Sequence, residues 1–285
     1  MAFTRRGRTV QRKLEGRVAL VTGSGRGIGR AIAHKFSREG AKLVINDLDE
    51  APAHDVAAEI MLSGGEAVVC AGNVTAPDFG ERLIATAVDR FGAIDIIVNN
   101  AGYTWDNVIQ KMTDKQWQAI LDVHLTAPFR ILRAAQPVIR GFVRAEQAEG
   151  RTVIRKVINI SSVAALYGNA GQSSYSAAKA GIIGLTRTLA KEWGRLNTTV
   201  NCVAFGVIST RLAGDVAAGE SVNIEGHEIP VGVNSAVLAG MEKRIPLGRA
   251  GTPEDAAGAV YLFSIPESDY VSGETLLCSG GLMGM

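Results

Sequence analysis

The chain has 285 residues, of which 47% are hydrophobic and 20% are charged, and its net charge at pH 7 is +2. This length and apolar content are sufficient for one large domain, and no change in composition marks the start of a second. No apolar run reaches the roughly 18 residues that a membrane helix needs, so we expect a protein without a membrane span.

Residues 1–14 form a basic extension. They hold four arginines and one lysine without any acidic residue, which leaves the rest of the chain mildly acidic. The extension lacks the apolar core of a secretory signal and resembles a transit peptide only weakly. We expect it to be solvated or packed on a partner rather than to bind nucleic acid. Residues 15–285 are predicted to form the folded domain.

The three cysteines, Cys70, Cys202 and Cys278, lie far apart in the sequence. They form no Cys-x-x-Cys pair, so they indicate neither a disulfide framework nor a zinc site, and no metal is expected. We expect the protein in the reducing cytoplasm.

The first predicted strand leads into a glycine-rich turn. Residues 17–22 (RVALVT) are mostly apolar, GSGRGIG follows, and RAIAHKFSREG carries apolar residues at helical spacing. Gly23, Gly27 and Gly29 would let the chain turn sharply and let a phosphate approach the amino end of the helix, which attracts anions. Taken alone, this pattern fits a structural turn as well as a dinucleotide site.

An acidic residue ends the second predicted strand. Residues 42–47 (KLVIND) place Asp47 where its carboxylate can accept hydrogen bonds from the adenosine ribose of a dinucleotide. A carboxylate there repels a 2′-phosphate, so Asp47 favours NAD(H) over NADP(H) without excluding the latter. The competing interpretation is that Asp47 only caps the helix that begins near Asp49 or Glu50.

The alternation of strands and helices continues along the chain. Helices are predicted over residues 51–63 and 77–91, and strands over residues 66–70 and 94–99. Repeated units of this length are typical of an α/β fold, a doubly wound parallel sheet with helices on both faces. Ligands of such sheets bind at the carboxyl ends of the strands.

A hydroxyl, a phenol and an amine lie near one another in the stretch SSVAALYGNAGQSSYSAAK. Ser162 precedes Tyr175 by thirteen residues, and Lys179 follows Tyr175 by four. In a helix that begins near Ser173, the phenol and the amine share one face, so the ammonium favours the phenolate. The ordinary pKa of tyrosine is ~10, and a lysine with a cationic cofactor ring could bring it closer to the working pH. Short patterns of this kind arise easily by chance, so other signals must support this one.

Together these signals resemble the classical short-chain dehydrogenase/reductase family. The resemblance covers the chain from about Leu14 to Gly281. It implies a single-domain Rossmann-type fold and an NAD(P)-dependent oxidoreductase acting on a ketone or secondary alcohol. It also implies a homotetramer assembled through helices 114–139 and 174–193 and the last strand. The motifs that carry it are Thr22-Gly23-x-x-x-Gly27-x-Gly29, Asn99-Asn100-Ala101-Gly102, and Ser162 with Tyr175-x-x-x-Lys179.

The resemblance also implies roles for single residues. Tyr175 is implied as the catalytic acid/base and Ser162 as the group that orients the substrate carbonyl. Lys179 is implied to bind the nicotinamide ribose and to lower the pKa of the phenol. Besides Tyr175 and Lys179, the implied cofactor contacts are Gly23, Arg26, Gly27, Ile28 and Gly29 at the diphosphate, Asp47 at the ribose, Asn73 and Val74 at the adenine, Asn100, Ala101 and Gly102 on the adenosine side, and Thr210 at the carboxamide.

Three positions depart from the family's usual pattern. Asn73 stands where an aspartate is common, and it can still donate or accept a hydrogen bond. His124 stands where an asparagine usually completes the catalytic proton relay. Histidine could preserve the relay with a different pH response, or it could be held by a local hydrogen bond. Phe205 replaces the usual proline before Gly206.

Later segments carry weaker signals. Residues 140–156 are charged and are interpreted as a surface excursion before the strand that ends at Ser162. Residues 207–245 are irregular and contain many glycines, so we expect a mobile lid over the substrate. A helix from Thr252 and a strand over residues 274–278 complete the predicted sheet.

A closer resemblance narrows the substrate. The stretches GRAGTPEDAAGAVYLFSIPESDYVSG and SSVAALYGNAGQSSYSAAKAGIIGLT look most like bacterial 3-oxoacyl-[acyl-carrier-protein] reductases, which implies a 3-oxoacyl thioester. Asp47 favours the alternative of an NAD-linked 3-hydroxyacyl-CoA or other secondary-alcohol dehydrogenase. A third hypothesis, outside the enzymes, is a non-catalytic regulatory protein that binds a dinucleotide. The presence of Ser162, Tyr175 and Lys179 argues against it.

Overall fold

Parallel strands form one sheet at the centre of the molecule. In this computed structural model the described residues are 12–210, 221–224, 227–230, 240 and 243–282. The strands are β1 (Val18–Val21), β2 (Lys42–Ile45), β3 (Glu66–Val69), β4 (Ile96–Asn99), β5 (Arg155–Ser162), β6 (Thr198–Phe205), β7 (Ser221–Ile224), β8 (His227–Pro230) and β9 (Thr275–Cys278). Seven of them make the parallel sheet in the order β3-β2-β1-β4-β5-β6-β9, and β7 pairs with β8 in a separate antiparallel sheet.

The strand order turns back at the middle of the sheet. β1 pairs with β2 on one side and with β4 on the other. The chain therefore winds outward from β1 to β3, crosses over to β4 and then winds outward in the opposite direction to β9. This reversal opens a crevice at the carboxyl ends of β1 and β4, where ligands of doubly wound sheets bind.

Helices cover both faces of the sheet. In β1, Ala19 and Val21 belong to a core shared with helices α1 (Gly27–Arg38), α2 (Glu50–Leu62) and α8 (Pro253–Leu262). Val18 and Leu20 belong to a core shared with helices α3 (Phe79–Phe91) and α5 (Ala127–Ala148). Alternate side chains of a strand point to opposite faces, so burial on both faces requires strands that are apolar throughout. The predicted doubly wound α/β class is confirmed. The helices of the described residues are α1 (Gly27–Arg38), α2 (Glu50–Leu62), α3 (Phe79–Phe91), α4 (Asp114–Leu121), α5 (Ala127–Ala148), α6 (Ala164–Tyr167), α7 (Ser173–Trp193) and α8 (Pro253–Leu262).

The interpretation of residues 140–156 as a surface excursion holds only in part, because most of these residues are exposed but both ends of the segment belong to regular elements. Helix α5 occupies much of this segment, and Arg155 and Lys156 begin β5, where they are only 3% and 4% exposed. The guanidinium of Arg155 donates to both carboxylate oxygens of Glu146, over 3.0 and 2.5 Å. A charged residue can enter a core when a partner on another element compensates its charge, and a local charge pattern does not reveal that partner.

The long helix predicted over residues 114–139 is interrupted. Between α4 and α5, Asp122–Thr126 form a π-helical turn, which contains one residue more than the α-helical ladder accommodates. His124 lies in the middle of this turn and is 4% exposed. The turn therefore presents to the interior a histidine that a continuous α-helix would place differently.

The remaining predictions concern the chain outside the central sheet. Leu14, assigned to the basic extension, is 1% exposed and belongs to the core, and Lys13 pairs with Glu267. Residues 1–11 lie outside the described residues, as does most of the expected lid. Within the lid segment, β7 and β8 are regular strands rather than irregular chain. Among the described residues, no helix is long and apolar enough to cross a membrane.

Candidate active site

A cavity of about 1070 Å³ opens in the crevice at the carboxyl ends of the strands. Every residue predicted to contact a cofactor or a substrate lines this cavity. These residues lie between positions 23 and 210, so the fold brings together what the sequence separates. Their common location supports the prediction of a single site.

The turn between β1 and α1 forms one wall of the cavity. Gly23 and Gly27 have φ angles of 62° and 51°, in the left-handed region that favours glycine. A Cβ atom on Gly29 would overlap the carbonyl oxygen of Gly23 and would lie 2.6 Å from Nδ2 of Asn100. The backbone of the turn therefore packs directly against the first turn of α1, and no side chain would fit between them.

The threonine before this turn ties it to the end of β4. The Thr22 hydroxyl oxygen accepts hydrogen bonds from the backbone N–H groups of Asn100 and Ala101, both over 3.0 Å. The Asn100 amide in turn donates to the carbonyl oxygens of Thr22 and Gly23, over 2.9 and 3.1 Å. The two predicted motifs thus share one hydrogen-bonded corner.

The acidic residue after β2 faces the glycine turn. Oδ2 of Asp47 accepts the N–H of Gly25 over 3.0 Å, and Oδ1 accepts the N–H of Asp49 over 3.3 Å. Asp49 itself occupies the N-cap position of α2. The competing interpretation of Asp47 as the cap of that helix is therefore not supported.

The turn after β3 is held by the amide of Asn73. Its side-chain oxygen accepts hydrogen bonds from the backbone N–H and the hydroxyl of Thr75, both over 2.9 Å. Arg130 of α5 donates to the carbonyl oxygen of Thr75 over 2.8 Å. The neutral asparagine thus shapes this wall of the cavity through hydrogen bonds within the turn, and Val74 beside it is 7% exposed.

The end of β5 and the first turns of α7 bring the three predicted catalytic groups together. The Ser162 hydroxyl lies close enough to the Tyr175 phenol to lower its pKa, and its oxygen accepts the N–H of Ala164 over 3.2 Å. Nζ of Lys179 lies 5.6 Å from the centre of the Tyr175 ring and donates to the carbonyl oxygen of Ile160 over 2.7 Å. The hydroxyl of Ser161 donates to the carbonyl oxygen of Lys179 over 2.7 Å, which fixes α7 against β5 at this point.

Burial dominates the titration of these groups. It raises the pKa of Tyr175 to about 12; the nearby Ser162 hydroxyl acts in the opposite direction, and the negative charge of Asp106 adds to the rise. Burial lowers the pKa of Lys179 to about 8, and the neighbouring Cys202 opposes this effect. Lys179 was expected to lower the pKa of the Tyr175 phenol, but with the protein's residues alone this pKa is raised.

The buried lysine predicts a pH-dependent stability. Between pH 8 and about 10 the folded protein has released the Lys179 proton while the unfolded chain still holds it, so this residue makes the free energy of unfolding rise with pH. Lys179→Met removes this contribution. We expect its stability relative to the wild type to fall by about 1 kcal/mol between pH 7 and pH 9 in urea unfolding. Lys191→Met, the same change at an exposed lysine of α7, is the control, and an equal trend in both variants would contradict the assignment.

His124 is held in one tautomer beside the phenol. Its Nε2 atom lies 2.7 Å from the carbonyl oxygen of Tyr103 and must donate to it. Its ring meets the Tyr175 ring edge-on, with 5.0 Å between the ring centres. Burial, together with the positive charge of Lys179, holds the pKa of His124 well below its ordinary value. The imidazole is therefore neutral, and its buried Nδ1 atom is an acceptor with no hydrogen-bond partner among the described residues.

Four residues that shape the site were not among the predicted site residues. Thr22, Ser161 and Tyr103 make the contacts described above, and Asn46 accepts the N–H of Gly23 over 3.2 Å while donating to the carbonyl oxygen of Cys70. Each is adjacent in the sequence to a predicted residue. Their position next to predicted site residues was thus the signal that could have found them. Their contacts could not be predicted in this way, because the partners lie in distant parts of the chain.

Comparison with known proteins identifies the family. A family model described as "Enoyl-(Acyl carrier protein) reductase" matches residues 23–283, which contain the glycine turn and the Ser162, Tyr175 and Lys179 cluster. The chain is 40% identical over 272 residues to a 3-oxoacyl-[acyl-carrier-protein] reductase from Synechocystis sp., covering 95% of this chain and 98% of the relative. The chain belongs to the short-chain dehydrogenase/reductase family. As a member of this family it is an oxidoreductase that binds a nicotinamide dinucleotide.

Further similarity within the short-chain dehydrogenase/reductase family extends over nearly the whole chain. The 3-oxoacyl-[acyl-carrier-protein] reductase FabG of Vibrio cholerae is 38% identical, over 94% of this chain and 98% of the relative. A crystal structure of a dehydrogenase/reductase from Sinorhizobium meliloti 1021 superposes with a TM-score of 0.80 at 29% identity, over 95% of this chain and 97% of that chain. The family and the fold predicted from the sequence are both confirmed.

Proposed function

We propose that the chain is a 3-oxoacyl-[acyl-carrier-protein] reductase, which converts the keto group of a 3-oxoacyl thioester into a secondary alcohol. The observation that carries the proposal is the meeting of Ser162, Tyr175 and Lys179 in the cavity that also contains the glycine turn. The names of the Synechocystis and Vibrio cholerae relatives support the acyl substrate. A hydroxyl beside a phenol is suited to a carbonyl oxygen, which must be polarised and then protonated.

The glycine turn fits the diphosphate of a nicotinamide dinucleotide. A Cβ atom on Gly29 would fill the space against Gly23, so bare backbone lines this part of the cavity. The amino end of α1 lies there, and its N–H groups and helix dipole attract anions. The residues that would hold the dinucleotide all line the cavity. The diphosphate would be bound by Gly23, Arg26, Gly27, Ile28 and Gly29, the adenosine would be bordered by Asn73, Val74, Asn100, Ala101 and Gly102, and the carboxamide would be contacted by Thr210. When bound, the nicotinamide ring would supply the hydride.

The protein's own residues handle the proton. With its pKa raised to about 12, the Tyr175 phenol stays protonated at neutral pH, as a general acid must, and would donate to the oxygen that becomes the alcohol. Ser162 would hold that oxygen beside the phenol. Lys179, with a pKa lowered only to about 8, keeps its charge at pH 7. Together with the cationic, oxidised nicotinamide ring, it would stabilise the phenolate that remains after the transfer. It would also bind the nicotinamide ribose.

We propose that the preferred cofactor is NAD(H). The carboxylate of Asp47 lies at the end of β2 and faces the glycine turn, where a ribose with free hydroxyls can donate hydrogen bonds to it. A 2′-phosphate would meet its negative charge. This preference also supports the alternative function, an NAD-linked 3-hydroxyacyl-CoA or other secondary-alcohol dehydrogenase that uses the same catalytic residues in the oxidative direction.

We propose that His124 acts in the proton relay as a fixed hydrogen-bond acceptor. Its low pKa makes it a poor carrier of a proton, whereas its Nδ1 atom, beside Tyr175 and without a partner among the described residues, can order a water molecule. We expect His124→Asn, which keeps an acceptor, to retain kcat within about fivefold, and His124→Leu to lose roughly 10-fold or more. Steady-state kinetics across pH 6–9 would test this. A wild-type ionisation near pH 6.5 that disappears in His124→Asn would show instead that the histidine titrates.

Further proposals concern the oligomeric state, the cellular location, the substrate lid and the amino-terminal extension. We propose a homotetramer through α4, α5, α7 and β9, which the half-exposed side chains of Trp117 in α4 and Phe129 in α5 support. Light scattering of the purified protein would measure the mass. Unpaired cysteines are in keeping with the proposed reducing cytoplasm. Residues 207–245 are proposed as the substrate lid and residues 1–11 as a basic extension.

Paired titrations test the proposed function. The purified protein would be titrated with NADH and with NADPH, and turnover of a short 3-oxoacyl thioester would then be measured with the tighter cofactor. We expect NADH to bind more tightly, turnover to occur, and Asp47→Asn to reduce the preference for NADH. Preference for NADPH would show that Asp47 does not select the cofactor. Binding without thioester turnover would favour another secondary alcohol as the substrate.

A further inference from the structure

The adenosine end of the cavity holds one cation between two carboxylates. Nη1 of Arg26 lies 2.7 Å from Oδ2 of Asp49 and 3.5 Å from Oδ1 of Asp47, and all three residues line the cavity. Arg26 is the N-cap residue of α1, so its backbone belongs to the glycine turn. Its side chain instead reaches across to the segment that follows β2. The positive charge is therefore placed beside the carboxylate that is proposed to accept the ribose hydroxyls.

The two carboxylates are not equivalent. Asp47 has a side chain only 12% exposed, and the N–H groups of Gly25 and Asp49 hold both of its oxygens. The side chain of Asp49 is 55% exposed and forms the shorter contact with Arg26. Exposed ion pairs contribute little free energy and exchange easily for other partners. Arg26 can therefore leave Asp49 more readily than Asp47 can leave the glycine turn.

A 2′-phosphate on the ribose would compete for the same arginine. Guanidinium groups pair with phosphate through two parallel hydrogen bonds, whereas Asp47 repels a phosphate. As long as Asp49 compensates the charge of Arg26, the phosphate gains less from the arginine. We propose that Asp49 is a specificity-determining residue, which lowers the affinity for NADP(H) by holding Arg26. This inference rests on the proposed function, since it concerns the dinucleotide that the site is proposed to bind.

An equilibrium binding experiment separates this role from a general effect of charge. Wild type, Asp49→Asn and Glu50→Gln would be titrated with NADH and NADPH, with the fluorescence of the bound dinucleotide as the signal and no turnover. Glu50→Gln is the matched control, because it removes the same charge from the neighbouring residue, whose exposed side chain contacts His54 rather than Arg26. We expect Asp49→Asn to bind NADPH at least about fivefold more tightly, with NADH affinity unchanged within about twofold. Glu50→Gln should change either affinity by less than about twofold.

A second pair of variants tests whether the effect passes through the arginine. Arg26→Ala should weaken NADPH binding more than NADH binding, because the side chain of Arg26 lies beside Asp47 and Asp49, where only NADPH would carry a phosphate. The proposed diphosphate contact of Arg26 is through its backbone, which the substitution keeps. In the Arg26→Ala background, adding Asp49→Asn should change the NADPH affinity by less than about twofold. Coupling of this kind in a double-mutant cycle identifies an interaction between the two side chains.

Three results would overturn the inference. The first is an equal gain in NADPH affinity in Asp49→Asn and Glu50→Gln, which would indicate long-range repulsion alone. The second is a gain that persists in Arg26→Ala, and the third is no gain in Asp49→Asn. If the wild type binds neither dinucleotide, the proposed function fails and this inference fails with it. Tight binding of a dinucleotide without the Asp49→Asn effect overturns this inference and leaves the proposed function intact.

Discussion

Tyr175→Phe is expected to lower kcat for 3-oxoacyl thioester reduction by about 10³-fold or more, equivalent to about 4 kcal/mol in the barrier. The substitution removes the only atom that can donate the proton from this position and keeps the aromatic ring, which packs edge-on against His124. Dinucleotide affinity should change by less than about threefold, because the glycine turn and Asp47 are untouched. Steady-state kinetics and a fluorescence titration of the same preparation give both numbers.

Tyr270→Phe is the matched control for this prediction. It deletes the same hydroxyl from a fully exposed tyrosine outside the cavity, and its kcat should equal that of the wild type. Wild-type turnover by Tyr175→Phe would show that another group donates the proton. A wild type that binds dinucleotide and turns over no carbonyl substrate would instead support the non-catalytic regulatory protein.

Gly29→Ala is expected to destabilise the fold by more than about 4 kcal/mol and to abolish dinucleotide binding. The added Cβ would overlap the Gly23 carbonyl oxygen and lie 2.7 Å from the Gly23 carbonyl carbon. Gly23 cannot move away from the added methyl group, because it packs closely on Ala101: a Cβ on Gly23 would lie only 2.8 Å from Cα of Ala101. Alanine is the better helix former by up to about 1 kcal/mol, so a loss of stability must come from the steric conflict.

Gly141→Ala in α5 shows what the same substitution does in open space. A Cβ there meets nothing within 4 Å, so this variant should be neutral or more stable by up to about 1 kcal/mol. Denaturant unfolding and a dinucleotide titration of both variants complete the comparison. If Gly29→Ala were as stable as Gly141→Ala, the turn could widen, and close approach of backbone to the diphosphate would not be needed.

The order of the elements and the membership of the site could be predicted from the sequence. Short apolar runs such as VALV and IIVN form strands buried on both faces, and this local pattern determines the parallel sheet. Residues at the ends of those runs then meet at one edge. For this reason Asp47, Asn100 and Ser162 could be assigned to one cavity without knowledge of any distance.

What the sequence did not reveal depends on partners far along the chain. The charged pair Arg155 and Glu146 is buried because its members meet across two elements, which the composition of residues 140–156 does not show. The high pKa of Tyr175 follows from burial by the surrounding residues, and the neutral state of His124 from burial and the nearby Lys179. Spacing predicts which groups are neighbours, but burial determines their charge.

The π-helical turn at Asp122–Thr126 constrains how this region can evolve. Each residue of a helix advances the chain by ~100°, so losing one residue there would rotate everything that follows by about that angle. The face of α5 that carries Ile131, Leu132 and Ile139 would then turn away from the core it now fills. Insertions and deletions between α4 and α5 should therefore be far rarer among descendants of this chain than substitutions at the exposed positions of the same segment.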